Sequence, residues 1–423
     1  MASQVHPTLG MSANTSTGSC RACSSDRLQV VLDLGATPLA NRLLSGSQLQ
    51  EPEPRFPLVL AFCLDCSLVQ ITETVPPEIL FQDYPYFSSF SDTMLRHARE
   101  IAYRTVHERS LDGNHLVLEI ASNDGYLLQY YKEAGIPVIG IEPAANIAKV
   151  AREDRGIPTL NEFFGRELAL RLSRQGRQAD VIHANNVLAH VADLNGFLDG
   201  VRLVLKPDGV AIIEVPYVKE MIDRAEFDTI YHEHLCYFSL TALDRVCAAH
   251  DLLVTRVERL PIHGGSLRVY LEHAGRGQRG AGVTNLLAEE KAWGVDCLSF
   301  YQDFGAKVQE LKGRLLGLLQ DLKSRGGRIA AYGASAKGST LLNCFGIGGQ
   351  SLDFVVDRST AKQGLYTPGT HLPIYPPERL LESMPDHALL LTWNFADEIM
   401  EQQADYRQRG GHFIVPLPEP RVL

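Results

Sequence analysis

Short apolar runs of strand length alternate with amphipathic stretches along most of the chain. From about residue 92 to 110 the apolar positions recur with a helical period. Four apolar runs then follow, each succeeded by a loop and in most cases by a helical pattern: HLVLEIAS, PVIGIEP, ADVIHANN and GVAIIEVP. This alternation predicts βαβ units in a doubly wound parallel sheet. A second series, GRIAAYG, SLDFVVD, HALLLTW and GHFIVPL, predicts another α/β unit near the C-terminus.

The remaining segments have different patterns. Residues 20–80 are rich in turn residues and short apolar pieces, which predicts a small β-rich module. A long helical pattern over 285–324 is expected to link the two α/β units. The first residues lack the basic and apolar segments of a secretory signal, so we expect a short disordered tail.

Size and charge exclude several classes of protein. A chain of 423 residues is too long for one ordinary core and predicts two or three domains. A formal net charge of −10 gives no electrostatic reason to expect a nucleic-acid partner, although a local basic pocket can still bind an anionic small ligand. The apolar runs fall short of the ~20 residues that cross a bilayer, so no membrane association is expected.

Four of the eight cysteines form two CxxC pairs, Cys20 with Cys23 and Cys63 with Cys66. Four thiolates in this pattern predict a closed tetrahedral Zn²⁺ shell, which is structural because no coordination position stays open. The 39-residue gap between the pairs requires an inserted loop or extra strands. Redox chemistry is the alternative, but the scattered remaining cysteines favour a reduced, cytoplasmic protein.

The turn after the first strand of the α/β region predicts a cofactor site. Small residues there let the backbone approach a ligand, and an acidic residue ending the next strand can accept both ribose hydroxyls. This spacing serves dinucleotides and S-adenosylmethionine alike, but the turn reads E-x-A-x-N-D-G and not GxGxxG, which favours the latter. The candidate cofactor-binding residues are Glu119, Ala121, Asn123, Asp124, Gly125, Glu142, Pro143, Asn185 and Asn186.

The densest cluster of reactive side chains is YHEHLCYF, residues 231–238. Its histidines are two residues apart, whereas the HExxH zinc motif needs them four apart on a helix, so a metalloprotease is excluded. General-base chemistry remains, with Glu233 orienting a histidine and Tyr231 donating to developing negative charge. A structural polar loop is the alternative. His190, after the run ADVIHANN, is expected beside the cofactor.

Two further clusters suggest contacts with an anionic substrate. The first is HGGSLR, which contains His263, Gly264 and Arg268. The second, YGASAKGST, contains Tyr332 and Lys337 and opens the C-terminal unit. Its order of Lys, Gly and Ser differs from a P-loop, but a helix N-terminus with a lysine can bind a phosphate.

Together, CxxC…CxxC, LEIASNDGYLL, NNVLAHV, YHEHLCYF, HGGSLR and YGASAKGSTLLN resemble the sugar C-methyltransferase family of deoxysugar biosynthesis, from about Cys20 to the C-terminus. The resemblance implies a central Rossmann-like class I methyltransferase sheet, a small β-rich zinc module before it and a second Rossmann-like α/β domain after it. The implied division is a tail over 1–17, a zinc-binding module over 18–80, an S-adenosylmethionine-binding domain over 81–275, a helical linker over 276–325 and a nucleotide-sugar-binding domain over 326–423.

The resemblance also implies the reaction. Members of the family methylate a carbon next to the ketone of a nucleotide-linked 4-keto-deoxysugar, commonly C3 of a dTDP-hexose. His234 is then the base, with Tyr231, Glu233 and His190 beside it. The family's YxYxSS segment corresponds here to residues 84–89, and Ala121 stands where the family usually has glycine. The implied substrate contacts are Tyr84, Tyr86, Ser89, His263, Gly264, Arg268, Tyr332, Lys337 and Asn343.

Several alternatives stay open. Within the family, these are methylation at C5 or a non-hexose acceptor. Outside it, they are an NAD-dependent nucleotide-sugar oxidoreductase or epimerase, and a zinc-ribbon binding module with a degenerate enzyme body. The expected partners are S-adenosylmethionine, Zn²⁺ and a small-molecule nucleotide sugar, on a monomer or a homodimer.

Overall fold

The computed structural model describes residues 18–76, 80 and 87–423, and within them the strands form three sheets. The tail expected over 1–17 and the candidate residues Tyr84 and Tyr86 lie outside the described residues.

The N-terminal sheet confirms the β-rich module. Three antiparallel strands follow one another along the chain: β1 (Leu28–Thr37), β2 (Phe56–Cys63) and β3 (Val69–Ile71). The fourth strand, β9 (Cys236–Tyr237), belongs to the YHEHLCYF cluster and pairs with β3. The cluster is therefore attached to the module, a connection that the sequence does not predict.

The central sheet has seven strands in the order β10-β11-β8-β7-β4-β5-β6. They are β4 (Val117–Ile120), β5 (Val138–Ile141), β6 (Thr159–Leu160), β7 (Ala179–Asn185), β8 (Leu205–Pro216), β10 (Leu252–Leu260) and β11 (Ser266–His273). The first five pair in parallel, and β11 runs antiparallel to β8. This is the class I methyltransferase arrangement that the resemblance implies. All four residues of β4 are buried, as expected for a parallel strand covered on both faces.

Seven helices accompany this sheet: α1 (Asp92–Arg109), α2 (Leu128–Glu133), α3 (Ala145–Glu153), α4 (Arg166–Arg174), α5 (Leu194–Val204), α6 (Val218–Asp223) and α7 (Leu240–Ala248). The strand β4 lies between β5 and β7, so the chain runs outward from β4 first through β5 and β6 and then, on the other side, through β7 and β8. The carboxyl end of β4 is therefore a point at which the strand order reverses. Ligands of open α/β sheets bind at such a point.

The C-terminal sheet confirms the second α/β unit, with the order β14-β13-β12-β15-β16-β17. Its strands are β12 (Ile329–Tyr332), β13 (Val355–Val356), β14 (Ile374–Tyr375), β15 (His387–Leu390), β16 (His412–Val415) and β17 (Arg421–Val422). All pairs are parallel except the last. Its helices are α10 (Ala336–Phe345), α11 (Arg379–Ser383), α12 (Ala396–Gln402) and α13 (Ala404–Gln408).

The prediction of one long helical segment over 285–324 is wrong. The structure has two helices, α8 (Ala281–Trp293) and α9 (Phe304–Ser324). Gly294 ends the first in the left-handed conformation, with φ of 77°, which satisfies the last carbonyls of that helix and turns the chain.

The three sheets are packed against one another over a continuous core. Phe227 stacks on Phe345 of the C-terminal unit with ring centres 4.6 Å apart. Leu44 of the N-terminal module exchanges two backbone hydrogen bonds with Tyr366. These contacts hold a cleft between the central and C-terminal sheets. Over the described part of the chain, every helix is too short or too polar to span a bilayer.

Candidate active site

Cys20, Cys23, Cys63 and Cys66 come together as the sequence predicts. Their sulfur atoms all lie within 4.8 Å of one another, with Cys20 Sγ 3.4 Å from Cys66 Sγ and Cys23 Sγ 3.6 Å from Cys63 Sγ. Tetrahedral Zn²⁺ with bonds of about 2.3 Å requires sulfur separations of about 3.8 Å. The cluster therefore fits zinc with little adjustment, and β1 supplies the inserted structure that the long gap requires.

The cofactor loop is organised around the Glu142 carboxylate. Its Oε2 accepts a hydrogen bond from the Asn123 backbone N–H at 3.0 Å, and its Oε1 accepts one from the Ala144 N–H at 2.8 Å. Burial raises the pKa of Glu142 to about 7. Glu119 lies fully buried nearby, and burial followed by the charges of Asp124 and Glu142 raises its pKa well above the ordinary value. The loop thus favours a ligand with cationic groups.

Two residues of this loop, Ala121 and Asn123, have left-handed backbone, each with φ of 50°. A residue with a β-carbon adopts that conformation at a cost of about 1–2 kcal/mol, whereas glycine adopts it without this cost. Glycine is therefore the better residue at position 121, which explains the usual family residue there and makes Ala121 a strained exception.

A cavity of about 670 Å³ opens beyond this loop and extends to the C-terminal sheet. The candidate residues that line it come from both sides of the cleft: Ala121, Asn123, Glu142, Pro143, Asn185, Asn186, His190, Tyr231, His234, His263, Tyr332 and Lys337. The structure therefore brings these candidate residues together around one cavity, and the two α/β units share it, which the sequence could not show.

His234 is the central titratable group of the cavity. Its Nδ1 lies 2.9 Å from the Thr229 carbonyl oxygen, which can only accept, so Nδ1 carries the proton. Nε2 is then the basic nitrogen, and it accepts a hydrogen bond from the Tyr231 hydroxyl at 2.7 Å. The His190 ring packs edge-on at 4.6 Å. Burial, then the neighbouring His190, holds the pKa of His234 well below the ordinary value, which keeps the ring neutral.

Lys337 lies on the C-terminal side of the cavity, in the first turn of α10. Its Nζ donates to the His263 carbonyl oxygen at 3.2 Å and lies 4.9 Å from the centre of the Trp393 ring. Glu226 and Asp228 are buried nearby. Burial raises the pKa of Glu226 to about 8, and the charge of Lys337 opposes that rise.

Several candidate residues do not line the cavity: Glu119, Asp124, Gly125, Ser89, Glu233, Gly264, Arg268 and Asn343. Arg268 departs furthest from its predicted role. Because it lies opposite Glu214 on β8 and Glu258 on β10, its guanidinium pairs with both carboxylates, at 2.6 and 3.0 Å. Asn343 instead donates to the Ser339 and Pro368 carbonyls. The Glu233 carboxylate accepts two hydrogen bonds from Asn41.

The cavity also contains residues that the sequence analysis missed. Arg358 follows the carboxyl end of β13, and a charged residue at that position of a parallel strand is a usable signal. Phe163 lines the cavity with 48% of its surface exposed, but a lone aromatic carries no sequence signal. Asn41 lines it from the N-terminal module, 192 residues from its partner Glu233.

Comparison with known proteins identifies all three regions of the chain. Residues 20–81 match a family described as "Putative zinc binding domain", residues 94–257 a methyltransferase domain, and residues 261–418 a C-methyltransferase C-terminal domain. The chain is 36% identical to C-methyltransferase NovU from Streptomyces niveus over 405 residues, which are 96% of each protein.

More distant similarities cover the central region. Ubiquinone biosynthesis O-methyltransferase from Bartonella tribocorum is 28% identical over 23% of this chain and 39% of its own length. The solved magnesium protoporphyrin IX methyltransferase from Synechocystis PCC 6803, with bound S-adenosylmethionine, is 11% identical. It covers 43% of this chain and 79% of its own, with a TM-score of 0.33.

The match to C-methyltransferase NovU over 96% of the chain contradicts two alternatives: an NAD-dependent oxidoreductase or epimerase, and a zinc-ribbon binding module with a degenerate enzyme body. The protein belongs to the C-methyltransferase family and is an S-adenosylmethionine-dependent enzyme with an N-terminal zinc-binding domain.

Proposed function

We propose that this enzyme methylates a carbon next to the ketone of a nucleotide-linked 4-keto-deoxysugar, namely C3 of a dTDP-4-keto-deoxyhexose. The supporting observation is the position of a neutral His234, bonded to Tyr231, in a cavity that both the cofactor loop and the C-terminal α/β domain line. S-adenosylmethionine supplies the methyl group as an electrophile. The residues of the chain have to create the carbon nucleophile and hold both reactants.

His234 is suited to remove the proton. A hydrogen on carbon next to a ketone is acidic enough for a positioned imidazole, and the single Nε2 lone pair can take it once the Tyr231 hydroxyl turns its hydrogen from Nε2 to the ketone oxygen. The protonated Nε2 then donates to the Tyr231 oxygen, while the tyrosine hydroxyl donates to the enolate oxygen. His190 is a second candidate donor to that oxygen. Attack of the enolate carbon on the methyl group in line would break the methyl–sulfur bond and leave S-adenosylhomocysteine, and the fixed geometry would supply much of the rate.

Replacing Glu142 by glutamine is expected to weaken cofactor binding about 10- to 100-fold, since hydrogen bonds to a charged acceptor contribute about 1.5–3 kcal/mol. Equilibrium dialysis with labelled S-adenosylmethionine measures this. Glu153→Gln, on the exposed end of α3, is the matched control. Because the pKa of Glu142 is raised to about 7, wild-type affinity should fall as pH drops from 8 to 6. Equal affinity of both variants would exclude Glu142 from ribose binding.

The C-terminal side is proposed to hold the nucleotide diphosphate through Lys337 and Arg358, two cations that line the cavity near the start of α10. A third, Lys362, also lines it but pairs with Asp357 at 3.6 Å. We expect Lys337→Ala to raise KM for the nucleotide sugar about 10- to 100-fold with little change in KM for the cofactor, because one charged contact is lost. Steady-state kinetics with each substrate varied separately measures this. A change confined to the cofactor KM would place the diphosphate elsewhere. Lys323→Ala, on the outer end of α9, is the control.

The substrate itself is tested by incubating the protein with labelled S-adenosylmethionine and a panel of dTDP-linked 4-keto sugars that differ at C2, C3 and C6. Mass spectrometry detects methyl transfer, and NMR of the product gives the carbon. We expect a new methyl group at C3. A product methylated at C5 or on oxygen, or no transfer to any sugar of the panel, contradicts the proposal.

A further inference from the structure

Asn41 joins the zinc-binding module to the YHEHLCYF cluster. It lies in the segment between β1 and β2, and its Nδ2 is 2.8 Å from both Glu233 carboxylate oxygens. Glu233 is 2% exposed, so its carboxylate needs hydrogen-bond donors from the protein. Asn41 also lines the cavity.

The rest of the cluster rests on the same module. The Leu235 carbonyl accepts a hydrogen bond from the Ile71 N–H of β3, and His232 Nε2 lies 3.1 Å from the Pro57 carbonyl oxygen at the start of β2. The Leu235 N–H donates to the Ala189 carbonyl, next to His190. The backbone of Leu235 and the side chain of His232, on either side of His234, are therefore held by the zinc-binding module and by the loop after β7.

The segment that contains Asn41 is itself held at the other side of the cleft. Leu44 pairs with Tyr366, and the Glu53 carboxylate accepts a hydrogen bond from the Gly369 N–H at 2.8 Å. A side chain on this segment therefore has a defined position relative to both walls of the active site, which a side chain on a free loop would lack.

From this geometry we infer that Asn41 is a positioning residue for the catalytic cluster: its amide fixes the Glu233 carboxylate and, through the backbone of that residue, the ring of His234. The inference rests on the proposed function for its effect on turnover. It gives the zinc-binding module a direct part in the geometry of the active site, beyond the stability that the metal supplies.

The first test compares Asn41→Ala with Asn195→Ala. Asn195 also bonds the module, through the Arg21 and Ala22 carbonyls, but it does not line the cavity. We expect N41A to lower kcat about 10- to 100-fold with unchanged KM values and zinc content, and N195A to keep kcat within about twofold. A kcat for N41A equal to that of wild type overturns the inference.

Asn41→Asp sharpens the test, because it keeps the shape and places two carboxylates against each other. Such a pair takes up one proton, which restores a hydrogen bond. The kcat of N41D relative to wild type should therefore rise as pH falls from 8 to 6. The titratable groups in or facing the cluster include His190, His232, His263, Lys337, Arg21 and Glu73. Burial lowers the pKa of His190 and of His263 to about 4 and holds that of His234 well below the ordinary value, so these three rings stay neutral over this range. Burial also lowers the pKa of His232. A constant ratio overturns the inference.

A readout without turnover separates this inference from the proposed function. In NMR spectra of protein labelled at histidine Cε1, the His234 signal is assigned by its loss in His234→Gln. We expect that signal to move in N41A and N41D, to return in N41D at pH 6, and to stay in N195A. An unmoved signal overturns the inference even if no sugar is methylated, while turnover of no 4-keto sugar by wild type contradicts only the proposed function.

Discussion

Replacement of His234 by asparagine is expected to lower kcat about 10³-fold, the loss that removal of a positioned general base produces. Asparagine keeps a hydrogen-bonding group of similar size beside Tyr231 but cannot accept a proton from carbon. Because the proposed cofactor contacts lie at the carboxyl ends of β4, β5 and β7 and in the loops after them, affinity for S-adenosylhomocysteine should not change. Steady-state kinetics together with calorimetric binding of S-adenosylhomocysteine measures both quantities.

The control for this variant is His232→Asn. His232 belongs to the same cluster but lies 3.1 Å from the Pro57 carbonyl and does not line the cavity. We expect its kcat to stay within about tenfold of wild type, since only one neutral hydrogen bond is perturbed. Similar losses in both variants would show that the cluster has a structural role and would remove His234 as the base.

The same assignment predicts the pH dependence of wild type. Burial lowers the pKa of His234 well below 6.5, so the ring is already in its basic form at pH 6.5 and stays so at higher pH. The kcat should therefore be constant as pH falls from 8 to 6.5, with the acid limb below that range. An acid limb centred at or above pH 6.5 would assign the proton transfer to another group.

The sequence predicts local features of this fold well because local features have local causes. The apolar runs of β4, β5, β7 and β8 are continuous since both faces of a parallel strand are buried, and the cysteine pairs are close in sequence since each pair binds one metal. The small-residue turn after β4 and the acidic residue at the end of β5 also predict the cofactor loop, because each is a short segment with a local function.

Contacts between distant segments were not predictable. The HGGSLR motif predicts a substrate contact for Arg268 because a short motif does not reveal its strand neighbours. In the sheet, Glu214 and Glu258 pair with this arginine. The pairing of β9 with β3 and the bond from Asn41 to Glu233 join segments more than 160 residues apart. Neither has a periodicity or a spacing that one sequence shows.

Loss of the metal is expected to have an effect comparable to that of the His234 variant. Structural Zn²⁺ contributes about 10–16 kcal/mol to the folding of small domains, so replacing one of four thiolates removes much of the stability of the module. Since β9 pairs with β3 and Leu235 bonds Ile71, unfolding of the module also releases the catalytic cluster. We therefore expect Cys63→Ser to lose its zinc and to reduce kcat by about 10³-fold or more.

The cofactor loop provides the contrast in the zinc experiment. It lies after β4 and β5, whose ladder partners all belong to the central sheet, so S-adenosylhomocysteine binding should survive better than turnover. Metal content by mass spectrometry, kcat and calorimetric binding are measured on the same preparations. Cys297→Ser changes an exposed cysteine outside the cluster and should keep all three values. If Cys63→Ser lacks zinc yet retains full kcat, then the metal does not support the active site, and the His234 cluster must be held by the central sheet alone.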